Sequence, residues 1–219
     1  REMSDQIFDD LNMREADFNL GVGGGSHGKQ TGSMLIALEK TIAAVKPDCI
    51  LVYGDTNSTL AGALVAAKAH IPLAHVEAGL RSFNRRMPEE VNRVVTDRLS
   101  DLLFCPTDTA IQNLVREGIT EGVHWVGDVM YDALLHNRAL AQRRTSILPQ
   151  LRVEKKKYAL ATVHRAGNTD DPTRLRSILD ALGSLAVPVI FPVHPRTRNL
   201  IHDSKFVVNS NVTLIQPLG

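Results

Sequence analysis

Two carboxylates lie at or just beyond apolar stretches that predict β-strands, and a third opens the helix that follows. Asp55 follows the stretch CILVYG (49–54), Glu77 ends LAHVE (73–77), and Glu89 lies at the start of the next predicted helix. In parallel α/β sheets, ligands bind outside the carboxyl ends of the strands, so these side chains are the first candidates for function. Clustered carboxylates have their pKa values pushed apart, so one can act as an acid and another as a base. The pattern therefore predicts proton-transfer chemistry.

Two arginines are candidate partners for these carboxylates. Arg81 lies in the loop after Glu77, and Arg93 lies in the helix predicted over 88–100. A carboxylate that ends a strongly apolar run must be hydrogen-bonded, paired or protonated, because burying it bare is costly. We expect the two arginines to pair with the carboxylates and to hold a phosphorylated group of a charged substrate.

Each carboxylate also has a purely structural interpretation. Asp55 followed by Thr56 would make a good helix N-cap, worth about 1 kcal/mol. Glu89 and Glu90 beside Pro88 suit the positive end of a helix dipole. Arginines on polar loops are ordinarily solvated. The catalytic interpretation therefore requires all three carboxylates to meet in one cavity.

The second half of the chain repeats a histidine–arginine pattern at strand ends. His164 and Arg165 follow the predicted strand YALATV (158–163), and His194, again followed closely by an arginine, comes after VPVIFPV (187–193). A histidine and an arginine so placed could meet an anion held by a helix N-terminus. The repeated pattern favours phosphate recognition in a cleft between the two halves.

Two further features have structural explanations. The stretch GVGGGSHGK (21–29) has the spacing of neither a P-loop nor a dinucleotide fingerprint, so we expect a mobile surface loop. Cys49 and Cys105 lie in apolar runs without the spacing of metal ligands. We expect buried thiols rather than a disulfide or a metal site.

Helical stretches alternate with short apolar runs along the chain. This alternation predicts strands over 18–22, 49–54, 73–77, 102–106, 123–127, 158–163, 187–193 and 212–216. It predicts helices over 1–12, 31–45, 56–70, 88–100, 108–117, 129–143, 171–185 and 195–203. Because parallel strands need crossover connections, the pattern indicates an α/β fold with doubly wound parallel sheets and helices on both faces.

A proline and a basic cluster at 143–157 interrupt this alternation and predict a domain boundary. We expect an N-terminal Rossmann-like domain over 1–145 that lacks its first strand. The first part of a second Rossmann-like domain then covers 146–219. The chain begins without an initiator methionine, and we expect it to be a piece of a longer protein.

The overall charge and hydropathy exclude some partners. The 219 residues include 25 Lys and Arg against 24 Asp and Glu, a formal net charge of +1, which argues against a nucleic-acid-binding protein. No apolar run approaches the ~20 residues that cross a bilayer, and the chain does not open with a secretory signal. We therefore expect a cytoplasmic protein without a membrane or nucleic-acid partner.

Several motifs together resemble the non-hydrolysing UDP-N-acetylglucosamine 2-epimerases. They are GDTNSTLAG (54–62), AHVEAGLRS (74–82), PEEVNR (88–93), VGDVMYDAL (126–134), the pair His164-Arg165 and PVHPRT (192–197). The resemblance runs the length of the chain. It implies a glycosyltransferase-B-like pair of domains, a UDP-sugar in the cleft, no nicotinamide or other cofactor, no metal, and a homodimer.

The resemblance also implies the reaction, an isomerisation in cell-surface polysaccharide biosynthesis. UDP leaves C1 of UDP-N-acetylglucosamine as a proton is removed from C2, and re-addition to the glycal with reprotonation on the other face gives UDP-N-acetylmannosamine. The implied acid and base carboxylates are Asp55, Glu77 and Glu89, and His164 is implied as a catalytic or diphosphate-contacting residue. The implied substrate-binding residues are Arg81, Arg93, Arg165 and His194.

Alternatives remain open on sequence alone. The family often continues His-Arg with Arg-Glu-Asn, whereas Ala166-Gly167-Asn168 follows here, so the substrate could instead be a UDP-2,3-diacetamido-uronic acid. A non-catalytic nucleotide-sugar-binding module and a retaining glycosyltransferase would share the architecture. The family's Gly-Thr-Arg-Pro-Glu and Ser-Gly-Gly-x-x-Glu segments do not occur in these residues. We therefore expect this chain alone to be inactive as an epimerase.

Overall fold

The computed structural model describes Leu11 and residues 13–144, 146–163 and 165–217. Apart from Leu11, the helix predicted over 1–12 lies outside the described residues. Ala16–Ala139 forms one compact unit, called here the N-terminal unit. The described residues from Leu140 onward belong to a second one, the C-terminal unit. Each unit contains one parallel sheet, so the predicted α/β class is confirmed.

The N-terminal unit alternates helices with the strands of a four-stranded sheet of order β1-β2-β3-β4. Its elements are α1 (His27–Val45), β1 (Ile50–Tyr53), α2 (Asn57–Ala69), β2 (Leu73–Val76), α3 (Pro88–Leu99), β3 (Leu102–Cys105), α4 (Asp108–Arg116), β4 (Val123–Trp125) and α5 (Val129–Arg144), within which the division between the units falls. All four residues of β2 are buried, as befits a parallel strand covered on both faces.

The C-terminal unit contains a three-stranded parallel sheet of order β5-β6-β7. Its elements are α6 (Ile147–Gln150), β5 (Ala159–Leu160), α7 (Ala166–Thr169), α8 (Pro172–Gly183), β6 (Val189–Pro192), α9 (Pro195–Asp203) and β7 (Val212–Ile215). Phe191 at the centre of β6 packs with Leu175 and Leu179 of α8 and Ile201 of α9 to form the core.

Local sequence explains where several helices begin. Ser26 caps α1 by accepting from the Lys29 N–H at 3.4 Å, and Thr107 caps α4 by accepting from the Ala110 N–H at 3.2 Å. Asp171 caps α8, whose first turn contains Pro172, a residue well suited to a position without a hydrogen-bond acceptor. These short polar side chains satisfy N–H groups that have no partner inside the helix.

The strand predicted over 18–22 is wrong. The Asn19 Oδ1 atom accepts from the Gly21 N–H at 2.9 Å, and Gly21 has a left-handed backbone with φ of 63°. This local turn interrupts the extended run before a ladder can form. The glycine-rich loop is shorter than expected because α1 begins at His27, and the strand predicted over 158–163 is reduced to Ala159–Leu160.

The two cysteines differ in burial. Cys49 is exposed, which corrects the expectation of a buried thiol, because it precedes β1 rather than lying within it. Cys105 is buried with Leu103, Ala110 and Leu114. Burial raises the pKa of Cys105 to about 11, so its protonated thiol packs as a small apolar side chain.

No helix within the described ranges is long and apolar enough to span a bilayer.

The turn before β4 depends on a glycine. Gly122 has φ of 67°, and a Cβ there would overlap the carbonyl oxygen of Asp101. Gly118 has φ of 74° with open space around it, which makes it a matched control. Ala at either position costs about 1–2 kcal/mol for the left-handed backbone, and we expect Gly122→Ala to lose about 1–3 kcal/mol more through crowding. Urea unfolding of the full-length variants measures the difference, and equal losses would contradict this account.

Candidate active site

The ends of β1 and β2 lie side by side. Tyr53 pairs with Val76 in the parallel register, and the Gly54 N–H donates to the Val76 carbonyl at 3.1 Å. Asp55 and Glu77 therefore leave neighbouring strands at the same edge of the sheet, as the sequence predicts. This edge is where parallel α/β sheets bind ligands.

Glu77 has an unusual backbone conformation. Its φ is 69°, in the left-handed region that non-glycine residues rarely occupy. Such a conformation costs about 1–3 kcal/mol and tends to occur at functional sites. The surrounding structure therefore holds a glutamate at a turn where glycine would be less strained.

Arg93 of α3 binds both turns. Its Nη2 donates to the Asp55 carboxylate at 2.6 Å, and its Nη1 donates to the Glu77 carbonyl oxygen. The Glu77 carboxylate lies 3.8 Å from the same Nη2. The Arg93 side chain is 8% exposed, against 32% for Asp55 and 23% for Glu77. A buried cation thus binds the Asp55 carboxylate directly and lies beside that of Glu77, and both carboxylates remain accessible to a ligand.

Asn92, next to Arg93, fixes the backbone of the first turn. Its Nδ2 donates to the Asp55 carbonyl at 2.9 Å and to Asn57 Oδ1 at 3.2 Å. The Asn57 amide in turn donates to Gln30 of α1 at 2.6 Å. These amides link the first turns of α1 and α2 to α3.

Asp55 is not the N-cap of α2, so the capping interpretation of its carboxylate is wrong. Thr56 occupies the N-cap position of α2, and its side chain makes no capping hydrogen bond. The Asp55 carboxylate pairs with Arg93 instead.

Glu89 and Glu90 are adjacent in the first turn of α3 but differ in their surroundings. Glu89 is exposed and lies one helical turn before Arg93, so the two residues share a face of the helix. Glu90 is buried and accepts from the Ser82 N–H at 2.7 Å, the Ser82 hydroxyl at 2.9 Å and the Phe83 N–H at 3.1 Å. Burial opposes ionisation of Glu90, but these hydrogen bonds outweigh it and lower its pKa.

The Arg81 side chain does not pair with the carboxylates that Arg93 contacts. Its guanidinium donates to Asp97 at 2.7 Å and forms a two-point contact with Glu117 at 2.7 and 2.8 Å. The side chain is 1% exposed. Burial opposes the charge, but the hydrogen bonds and the attraction of Glu117 and Asp97 raise the pKa of Arg81 well above its ordinary value. Arg81 is thus a buried cation that fastens α3 to the end of α4.

The predicted anion-binding residues of the second half lie in the C-terminal unit. His194 is the N-cap of α9, where its Nδ1 accepts from the Arg196 N–H at 3.3 Å. The backbone carbonyl of Arg165, just before the short helix α7, accepts from the Asn168 N–H at 2.8 Å. His164 lies outside the described residues.

Asp97 and Glu117 of the N-terminal unit are not among the residues predicted from sequence, and Glu90 is predicted only as a helix-dipole residue. Asp97, Glu90 and Glu117 each accept hydrogen bonds from the turn or loop that follows β2, or from Arg81 within it. The available signal was spacing, because Asp97 lies one turn after Arg93 and so shares its face of α3. Among the described residues, no cluster of three or more His, Cys, Asp or Glu could hold a metal ion.

The fold and the site together define a parallel α/β protein with a carboxylate-bearing site at the carboxyl ends of its strands. A family model described as UDP-N-acetylglucosamine 2-epimerase matches residues 1–219. The chain therefore belongs to the UDP-N-acetylglucosamine 2-epimerase family, and the resemblance carried by the motifs is confirmed.

Individual relatives agree with this assignment. A UDP-N-acetylglucosamine 2-epimerase homolog of Methanococcus maripaludis is 51% identical over 100% of this chain and 62% of its own length. A UDP-2,3-diacetamido-2,3-dideoxy-D-glucuronate 2-epimerase of Pseudomonas aeruginosa is 50% identical over 99% of this chain and 61% of its own. The chain thus spans about three-fifths of the length of these curated relatives.

Solved structures give the same result. The crystal structure of the Methanocaldococcus jannaschii UDP-GlcNAc 2-epimerase, in complex with UDP-GlcNAc and UDP, superposes with a TM-score of 0.85. It is 43% identical, and the match covers 97% of this chain and 61% of that one.

The buried Glu90 generates a pH-dependent prediction. Glu90→Gln is expected to lower the free energy of unfolding by about 1.5–3 kcal/mol at neutral pH, the usual contribution of hydrogen bonds to a charged group. The pKa of Glu90 is lowered in the folded state from an ordinary value of 4.5. Its stabilisation is therefore complete above that pH and is lost as the pH falls through the folded-state pKa.

Urea unfolding of the full-length protein at several pH values measures this effect. The difference between wild type and Glu90→Gln is expected to narrow in acid, whereas Glu121→Gln, at an exposed position, should match the wild type throughout. A Glu90→Gln difference that is as large at about pH 3 as at pH 7 would contradict the assignment.

Proposed function

We propose that the full-length protein carrying this chain epimerises UDP-N-acetylglucosamine at C2 to give UDP-N-acetylmannosamine. The observation that carries the proposal is the pair of accessible carboxylates, Asp55 and Glu77, held by buried Arg93 at neighbouring strand ends. The bound UDP-GlcNAc and UDP of the Methanocaldococcus jannaschii relative support this choice of substrate.

The chemistry requires acid and base groups at the sugar together with stabilisation of the leaving group. The hydrogen on C2 is a very weak acid until the bond from C1 to the diphosphate is breaking, so a base must be in place as UDP departs. Asp55, Glu77 and Glu89 act as the acid and base carboxylates in this proposal. The hydrogen bond from Arg93 fixes the Asp55 carboxylate before substrate arrives, which removes a cost of orientation.

Other assignments in this proposal rest on the family's motifs. His164 is the further catalytic or diphosphate-contacting residue, and Arg165 and His194 bind substrate with Arg93. We assign Arg81 to positioning rather than to substrate, because its guanidinium is occupied by Asp97 and Glu117 inside the N-terminal unit. A homodimer and a cytoplasmic location remain predictions, which light scattering and cell fractionation of the full-length protein would test.

Isotope exchange tests the reaction. Incubation of the full-length protein with UDP-N-acetylglucosamine in heavy water is expected to place deuterium at C2 of both sugars. Transfer of the sugar to an acceptor without exchange at C2 would overturn the proposal in favour of a glycosyltransferase. Release of free N-acetylmannosamine would indicate the hydrolysing reaction. Deuterium exchange only with a UDP-2,3-diacetamido-uronic acid would show that this sugar nucleotide, and not UDP-N-acetylglucosamine, is the substrate.

Glu77→Gln separates catalysis from binding. Loss of a carboxylate that transfers a proton is expected to lower kcat by about 100- to 10,000-fold. Binding of UDP-N-acetylglucosamine, measured by calorimetry, should persist because the amide keeps the shape of the side chain. Glu121→Gln is the matched control at an exposed position and should retain full turnover. Unchanged turnover in Glu77→Gln would exclude Glu77 from catalysis.

A further inference from the structure

A network of four ionisable side chains, called here the buried ionic network, lies next to the two turns that carry Asp55 and Glu77. It runs from His75 of β2 through Asp97 of α3 and Arg81 to Glu117 at the end of α4. His75 and Asp97 are 0% exposed, and the Arg81 side chain is 1% exposed. Groups of this kind are buried only when their hydrogen bonds and charges are matched.

Both ring nitrogens of His75 face hydrogen-bond acceptors. The Nε2 atom lies 2.8 Å from the carbonyl oxygen of Gly54, which can only accept, so Nε2 carries a hydrogen. The Nδ1 atom lies 2.7 Å from Asp97 Oδ1. The other oxygen of Asp97 accepts from Arg81 at 2.7 Å and from the Gly79 N–H at 3.1 Å. Because Asp97 also forms an ion pair with Arg81, we assign the hydrogen between Asp97 and the ring to Nδ1, with Asp97 accepting on both oxygens.

The charges of the buried ionic network alternate in sign when His75 donates from both nitrogens. His75 and Arg81 are then cations, and Asp97 and Glu117 are anions, so each charge has an opposite neighbour within hydrogen-bond distance. With Asp97 ionised, a histidine with hydrogen on a single nitrogen would leave one acceptor, Asp97 Oδ1 or Gly54 O, without its donor.

The buried ionic network anchors both turns that carry the proposed catalytic carboxylates. His75 binds the carbonyl of Gly54, the residue before Asp55, and Asp97 binds the N–H of Gly79, two residues after Glu77. Gly54 has a left-handed backbone with φ of 65°, so its own conformational preference does not fix the turn. Arg93 and the buried ionic network therefore hold the same two turns at different points.

We propose that His75 is a positioning residue, held as an imidazolium by Asp97, that fixes the Gly54 carbonyl and so sets the Asp55 carboxylate against Arg93. The effect of His75 on turnover rests on the proposed function. The protonation of its ring does not, because it follows from the hydrogen bonds alone.

Nuclear magnetic resonance of the full-length protein, labelled with ¹⁵N in the histidine rings, tests the protonation. We expect two ring N–H signals at neutral pH that disappear in His75→Asn, whereas a single signal would overturn the proposal. Asp97→Asn gives a second test. The new amide can accept from Arg81 and Gly79 through its oxygen and donate to Nδ1, so only the Nε2–H signal of His75 should remain. Retention of both signals would also overturn the proposal.

Kinetics test the positioning role. The shorter amide of His75→Asn can still donate to Asp97 but cannot also reach Gly54. We expect kcat to fall by about 100-fold, the usual cost of misplacing a reacting group by about 1 Å. KM should stay close to that of the wild type. The matched control is His70→Asn, because His70 is exposed and its left-handed φ of 56° suits asparagine.

The outcomes are distinguishable. Circular dichroism gives the folded fraction of the His75→Asn protein, by which kcat is normalised. An unchanged kcat per folded molecule would show that His75 is purely structural and would overturn the positioning role. If the wild-type protein does not epimerise UDP-N-acetylglucosamine, the proposed function fails, whereas the two ring signals would still be expected.

Discussion

The buried face of α3 is composed of polar and charged side chains, and the geometry of the site depends on pairing the charged ones. Its buried residues are Glu90, Asn92, Arg93, Thr96 and Asp97, whereas Val91 is 45% exposed. An amphipathic helix of a globular protein ordinarily buries its apolar stripe. Here the helix can dock only where partners exist for its charges, and the turns after β1 and β2 supply them. The position of α3 and the conformations of both turns are therefore mutually dependent.

This dependence explains how the unusual backbone at Glu77 is maintained. The Glu77 carbonyl accepts from Arg93, and two residues later the Gly79 N–H donates to Asp97. Releasing the turn would leave a buried N–H of Arg93 and the N–H of Gly79 without these partners, a loss comparable with the cost of a left-handed φ. Buried ion pairs add little net stability compared with well-packed apolar side chains. We infer that α3 retains them because they determine a single geometry for the site.

The sequence predicts helices and strands better than it predicts which side chains pair with one another. The helix expected over 195–203 is observed as Pro195–Asp203, and the edge that brings Asp55 and Glu77 together follows from the parallel strands. Local periodicity and capping determine such elements. The strand over 18–22 fails because Asn19 and Gly21 form a turn that hydropathy does not register.

Side-chain partners depend on tertiary contacts, so the sequence assigns Arg81 to the substrate and gives no sign of Asp97 beyond its spacing from Arg93. Arg81 follows β2 in a polar loop, where arginines are usually solvated, yet Asp97 and Glu117 enclose it. Asp97 precedes Arg98 in a segment that looks like the solvent face of a helix. Only the docking of α3 against β2 and the loop after it identifies both as buried. Charged residues mark this interior, whereas methods based on hydropathy assign them to the surface.

The two carboxylates at the strand ends are restrained unequally, and this inequality suits the proposed reaction. The Asp55 carboxylate accepts a charged hydrogen bond at 2.6 Å, so one of its oxygens is already occupied by Arg93. The Glu77 carboxylate lies 3.8 Å from the same guanidinium, beyond hydrogen-bond distance, while its backbone carbonyl takes the direct contact. The oxygens of Glu77 therefore keep more freedom to meet a substrate. Epimerisation needs groups that exchange protons on opposite faces of one carbon, and carboxylates in unlike environments can divide these roles. In this N-terminal unit, the difference comes from which atom of each residue Arg93 binds.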